Sequence, residues 1–151
     1  MRRALHTCLI AGAAAVATSA VAAGAAQSPR ASLQDPVCRQ APIALDRAVA
    51  ITAVMRPVIG TERMKLRFNL FEKPRSTRSY SPVSGGDLGK WISPSNPTLG
   101  QRPADQWNLR KQVVNLTGPA VYRFRVTFRW IGAQGRSLER QYRWSPPCDQ
   151  P

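Results

Sequence analysis

The chain has 151 residues, with 22 Lys or Arg against 8 Asp or Glu, one histidine, and a formal charge of +14 at pH 7. That length is one domain's worth, long enough to bury a single core but not two. The charge favours solubility and attraction to anionic surfaces without naming a partner.

Residues 1–26 read as a signal peptide. Arg2 and Arg3 give a basic start, an alanine-rich apolar run follows over 9–23, and Gly24, Ala25 and Ala26 supply a small-residue cleavage site. The run is short of the roughly 20 strongly apolar residues that a membrane span needs. Cleavage is therefore expected, with no transmembrane anchor afterwards, and Cys8 and His6 would leave with the peptide. The residues that remain are still strongly basic, because only Arg2 and Arg3 are lost. Residues 27–36 are polar, hold Pro29 and Pro36, and show no period; they read as a flexible leader before a folded domain over 37–149.

Two cysteines then remain, Cys38 and Cys148, one near each end. In the oxidising compartments that exported proteins reach, two such thiols pair, and a disulfide joining the first strand to the last is expected.

Along the domain, 43–58 alternates Ile51, Ala53 and Met55 with Thr52, Val54 and Arg56, and reads as a strand despite its alanines. Residues 64–73 alternate cleanly, with Met64, Leu66, Phe68 and Leu70 on one face and Lys65, Arg67 and Asn69 on the other. From 74 to 103, Pro, Gly and Ser punctuate the chain, and short strands are expected near 78–83 and 90–93. Residues 107–116 form a further strand, in which Val113 and Val114 break the alternation and suggest a bulge. The last hairpin joins strands 121–132 and 136–144 through Ala133-Gln134-Gly135. Pairing Gly132 with Arg136 would set Arg129 opposite Glu139, Trp130 opposite Leu138, Val126 opposite Tyr142 and Arg125 opposite Arg143. That register turns Arg140 inward beside Phe128, an awkward place that a bulge would relieve.

One face of these strands is basic. Lys65, Arg67, Arg123, Arg125, Arg129 and Arg143 all point outward in this register, opposite a column of Tyr122, Phe124, Val126, Phe128 and Trp130. The ladder is either the wet side of a half-buried sheet, its long stems covering apolar surface, or an anion-binding face. Like charges opposite one another cost stability unless an anion binds between them.

The stretch Leu116-Thr117-Gly118-Pro119-Ala120-Val121-Tyr122 resembles the tyrosine corner of fibronectin type III and related immunoglobulin-like domains, with Leu116, Pro119 and Tyr122 in the corner positions. The specific resemblance covers 116–126; as architecture it extends over the domain and is closest to bacterial exported fibronectin-like (CARDB-type) modules. It implies an all-β, immunoglobulin-like two-sheet antiparallel sandwich of about seven strands. It also implies that Tyr122 bonds backbone near Leu116 and Pro119. The chain departs from the antibody pattern, since Phe124 stands where a cysteine would be, with Phe68 as its expected strand-B counterpart, and only Trp91 is a candidate for the strand-C tryptophan.

Beyond the signal there is no histidine, the acids are scattered, and no serine precedes a lysine by three positions. A non-catalytic protein without cofactor or metal is expected. The reading is a secreted or envelope-associated binding or scaffolding domain, whose partner is an anionic cell-envelope polymer or another extracellular protein. Nucleic acid is disfavoured, because Phe71 is the main outward aromatic available for base stacking. The alternative is a small secreted inhibitor or ligand-binding module that presents the Pro/Gly-rich region 74–106.

Overall fold

The computed structural model describes residues 28–151; the expected signal peptide lies outside the described residues. Eight strands follow in order: β1 (Ala31–Arg39), β2 (Ala48–Met55), β3 (Arg63–Pro74), β4 (Ser81–Val83), β5 (Trp107–Val114), β6 (Ala120–Ile131), β7 (Ser137–Trp144) and β8 (Cys148–Gln150). They form two antiparallel sheets, one ordered β1-β2-β5 and the other β4-β3-β6-β7, with β8 pairing the start of β6 beyond the end of β7. Hairpins join β3 to β4 and β6 to β7, while the chain changes sheet from β2 to β3, β4 to β5 and β5 to β6. The result is the expected all-β, immunoglobulin-like sandwich.

Periodicity explains the central pair. β3 buries Met64, Leu66, Phe68 and Leu70, β6 buries Tyr122, Phe124, Val126, Phe128 and Trp130, and the two pair without interruption from Arg63–Ile131 to Pro74–Ala120. The other sheet contributes Val49, Ile51, Ala53 and Met55 from β2. Burying each large apolar side chain stabilises the fold by about 1.5–3 kcal/mol. Phe68 meets Phe124 edge to face at 6.3 Å, and the buried Trp130 indole donates to the Arg56 carbonyl at 2.7 Å. Without that acceptor the buried N–H would be a cost. β2 is buried on both faces because it is central in its sheet. Its small outward residues sit between longer ones, as Ala50 does between Val37 and Gln112.

The Cys38–Cys148 disulfide joins β1 to β8, and so one sheet to the other, across 110 residues of chain. Gln150 on β8 is fully buried and donates from Nε2 to the Arg39 carbonyl at 3.1 Å, a second tie between the same strands.

Several expectations are corrected. Residues 31–36 are not leader but the first part of β1, with Ala31 buried. The strand was hidden because a bulge at Asp35–Pro36, with Asp35 at φ 49°, splits its pairing with β2 and breaks its period. β5 has no bulge and pairs continuously with β2 over 107–114. Its alternation is disturbed because Lys111 occupies a position of the core-side set, where Asp87 from the 84–89 loop pairs with it. Residues 90–93 make only a single bridge, between Ile92 and Leu66. Phe68 is not Phe124's counterpart across the sandwich, since β3 and β6 are neighbours in one sheet. Trp91 does not enter the core; its ring lies against Arg67.

Candidate anion-binding face

The register of the last hairpin decides what the outer face of the larger sheet presents. Its turn forms as expected, with Gly132 N–H donating to Arg136 O at 2.9 Å and Ile131 opposite Ser137. Leu138 then bulges out of the ladder and packs against the core, so that Trp130 faces Glu139. Every later pair moves by one residue, and a one-residue slip exchanges the two faces of a strand.

Arg129 therefore faces Arg140 rather than Glu139, Thr127 faces Tyr142, and Arg125 faces Trp144. Glu139 passes to the other side of the sheet, opposite Trp130, where the Gln141 amide donates to it. Arg143 leaves the candidate face as well. It stands opposite Val126 and donates to Gln141 Oε1 at 2.7 Å and to the Tyr142 carbonyl at 2.9 Å. Arg140, expected inward, joins the face.

Across β3, β6 and β7 the outward side chains form rows. Lys65, Arg129 and Arg140 make one, Arg67, Thr127 and Tyr142 the next, then Asn69, Arg125 and Trp144, with Phe71 beside Arg123 at the end. Lys65, Arg67, Arg123, Arg125 and Arg129 thus share a surface as the sequence pattern implied. The aromatics among them were not foreseen, except for Phe71. Phe71 and Trp144 lie 5.3 Å apart; Arg125 stands over both, at 5.1 and 5.7 Å, and Arg123 is 5.3 Å from the Trp144 ring. Arg67 and Arg140 share Trp91, at 4.7 and 6.0 Å. Guanidinium over an aromatic face is attractive and holds the group's plane in place. Arg123 Nε also donates to the Ser145 carbonyl at 3.0 Å.

Among the described residues, no carboxylate forms an ion pair with these groups. The ion pairs among the described residues are Arg75–Asp149 and Lys111–Asp87, both elsewhere. Burial first, and then the charges of Arg140 and Arg125, hold the Arg67 guanidinium below the ordinary arginine value. Arg67, Arg125, Thr127, Arg140 and Tyr142 line an open depression of about 410 Å³.

The corner residues meet on the opposite face of the sheet, one pair beyond Phe71 and Arg123. Leu116 and Tyr122 are buried, and the Tyr122 hydroxyl lies 3.0 Å from the Thr117 carbonyl, in the segment between Leu116 and Pro119. It also lies 2.7 Å from both Thr117 Oγ1 and Glu72 Oε1. Glu72 and Thr117 carry no signal in the sequence, because only the pairing of β3 with β6 brings Glu72 opposite Tyr122. Glu72, Thr117 and Tyr122 also line a cleft of about 460 Å³, together with 83–88 from the Pro/Gly-rich region and the rest of 111–117.

Among the described residues, no three or more His, Cys, Asp or Glu side chains are grouped to hold a metal ion, and no helix is long and apolar enough to cross a membrane. Compared with protein families, curated proteins and solved structures, the chain matches none.

Proposed function

We propose that this chain is an exported, non-catalytic binding or scaffolding domain of the cell envelope, and that the outer face of β3, β6 and β7 docks on an anionic envelope polymer. The observation that carries the reading is the row Lys65–Arg129–Arg140, three cations side by side with Glu139 turned to the opposite face. Such a row costs stability in the free protein, and a bound polyanion offsets that cost. The Cys38–Cys148 disulfide supports an oxidising destination. The strand order β1-β2-β5 against β4-β3-β6-β7 supports kinship with fibronectin-type modules.

Retention of the protein on its own envelope polymer, measured over a salt series, tests the reading. Binding should weaken steeply as salt rises, because exposed charges are screened within about 10 Å at 0.1 M. Salt-insensitive retention would favour the second reading, in which the cleft beside the 84–88 loop takes a small ligand or a protein partner. The specific support for that alternative is the cleft itself, which combines the buried Leu116 with Glu72 and the Lys111–Asp87 pair.

A further inference from the structure

The outer face is not uniform. Thr127 is the one short side chain at the centre of a grid built from long ones: Arg67 and Tyr142 flank it across the sheet, and Arg125 and Arg129 precede and follow it on the outward side of β6. Its side chain is buried beneath them, and it floors the depression that Arg67, Arg125, Arg140 and Tyr142 surround. Three strands thus each send a guanidinium to one place, and Thr127 and Tyr142 add hydroxyls. Arg67 Nε is closed off from solvent and has no hydrogen-bond partner among the described residues. The charge of a guanidinium whose Nε is buried and unpaired is poorly compensated within the protein, and an anion in the depression supplies that compensation.

We propose that this depression is a subsite for one tetrahedral oxyanion, a phosphate group carried in the backbone of the polymer; the proposal rests on the reading of the surrounding face as anion-binding. The chemistry discriminates between anions. A carboxylate presents two oxygens in one plane, and a single guanidinium fork satisfies it. A backbone phosphodiester holds its two anionic oxygens and two ester oxygens tetrahedrally about phosphorus, so donors arriving from β3, β6 and β7 can approach it from different sides together with the hydroxyls. The Trp91 ring beneath Arg67 holds one fork in place before the anion arrives, which limits the ordering that binding must supply.

The test compares two polymers of matched charge, poly(glycerol phosphate) and polygalacturonate, on the full folded domain. Wild type should bind the phosphate polymer about tenfold more tightly, the scale of one charge-assisted hydrogen bond. Thr127→Leu, which fills the floor without changing charge, should erase that preference, and so should Arg67→Gln. Lys65→Gln removes the same charge from the same face outside the depression and should weaken both polymers equally. Circular dichroism of each variant separates misfolding from lost binding, and Arg67→Gln carries the test should Thr127→Leu disturb the sheet. Equal wild-type affinity for the two polymers, or identical behaviour of Arg67→Gln and Lys65→Gln, overturns the phosphate subsite and leaves the anion-binding face standing. Retention of neither polymer at low salt overturns both.

Discussion

Tyr122 and Glu72 face each other across β6 and β3, with the tyrosine hydroxyl 2.7 Å from Glu72 Oε1. The same carboxylate oxygen accepts from Thr117 Oγ1 at 2.6 Å, and the Thr117 carbonyl lies 3.0 Å from the hydroxyl. The corner thus fastens the 115–119 turn, which carries the chain from one sheet into the other, to a strand pair of the larger sheet.

Tyr122→Phe should lower stability by about 1 kcal/mol, the net worth of one hydrogen bond, read from urea unfolding at neutral pH. The pH dependence carries a second signature. Burial, reinforced by Glu72 and partly opposed by the bonds to Thr117, pushes the Tyr122 hydroxyl up to about 12. A raised folded-state value means that the tyrosine's contribution is intact below about pH 10, where the unfolded phenol titrates. It is lost as pH rises from there toward about 12. The gap between wild type and Tyr122→Phe should therefore narrow between pH 10 and 11.5. A gap that stays constant over that range would mean that the hydroxyl is not buried in the folded state.

The disulfide connects residues 110 apart. In the chain-entropy account, closing a loop of that order stabilises a fold by about 4–5 kcal/mol. The double variant Cys38→Ser, Cys148→Ser should lose stability on that scale. β8 should be the first element to open, because it holds to β6 through only three residue pairs. Hydrogen exchange at Tyr122 and Ala120 would report the opening. Gln150, bonded to the Arg39 carbonyl, should retain part of the contact between β1 and β8.

The bulge in β7 depends on room at Gly132. A methyl group there would stand 2.9 Å from a Leu138 terminal carbon and 3.1 Å from the Gly60 carbonyl oxygen. The backbone of Gly132 is extended, at φ −96°, so the obstacle is contact alone. Gly132→Ala should cost about 1–3 kcal/mol, as overpacking does, measured by thermal unfolding. An unchanged midpoint would show that Leu138 can yield, and that the bulge is held by something other than this packing.

The bulge also marks where the sequence stopped being readable. The alternation of Met64 to Leu70 and of Tyr122 to Trp130 identifies both central strands, because each has one wet face and one dry face. β7 is an edge strand whose core-side positions are Glu139, Gln141 and Arg143. Polar residues fall on both of its faces, so nothing in its pattern distinguishes one register from the next. Only the awkward inward Arg140 signalled a slip. The first part of β1, residues 31–36, escaped for a related reason: an edge strand needs little burial, and the Asp35–Pro36 bulge removes what period it has. The rings among the arginines went unseen because two of them depend on the β7 register and the third, Trp91, comes from a loop.

The arginine ladder supplies the last prediction. Replacing Arg123, Arg125 and Arg129 together with threonine should leave the sheet folded, since threonine suits a strand. The substitutions act in opposite directions on stability. Arg123 and Arg125 lose their places over Trp144 and Phe71, each worth about 0.5–1 kcal/mol at an exposed site. Removing Arg129 relieves its repulsion with Lys65 and Arg140 on either side. That repulsion has its own readout: wild type should gain thermal stability as salt rises from about 10 mM to about 150 mM, where the screening length falls from about 30 to about 8 Å. The triple variant should gain less. Envelope retention should fall and its salt dependence should flatten, because three screened attractions are gone. Arg129 should matter as much as its neighbours, since Glu139 lies on the other face and does not offset it. Arg67, Arg140 and Lys65 remain, so the loss should be partial. Retention equal to wild type at low salt would leave the ladder as the solvated side of a sheet.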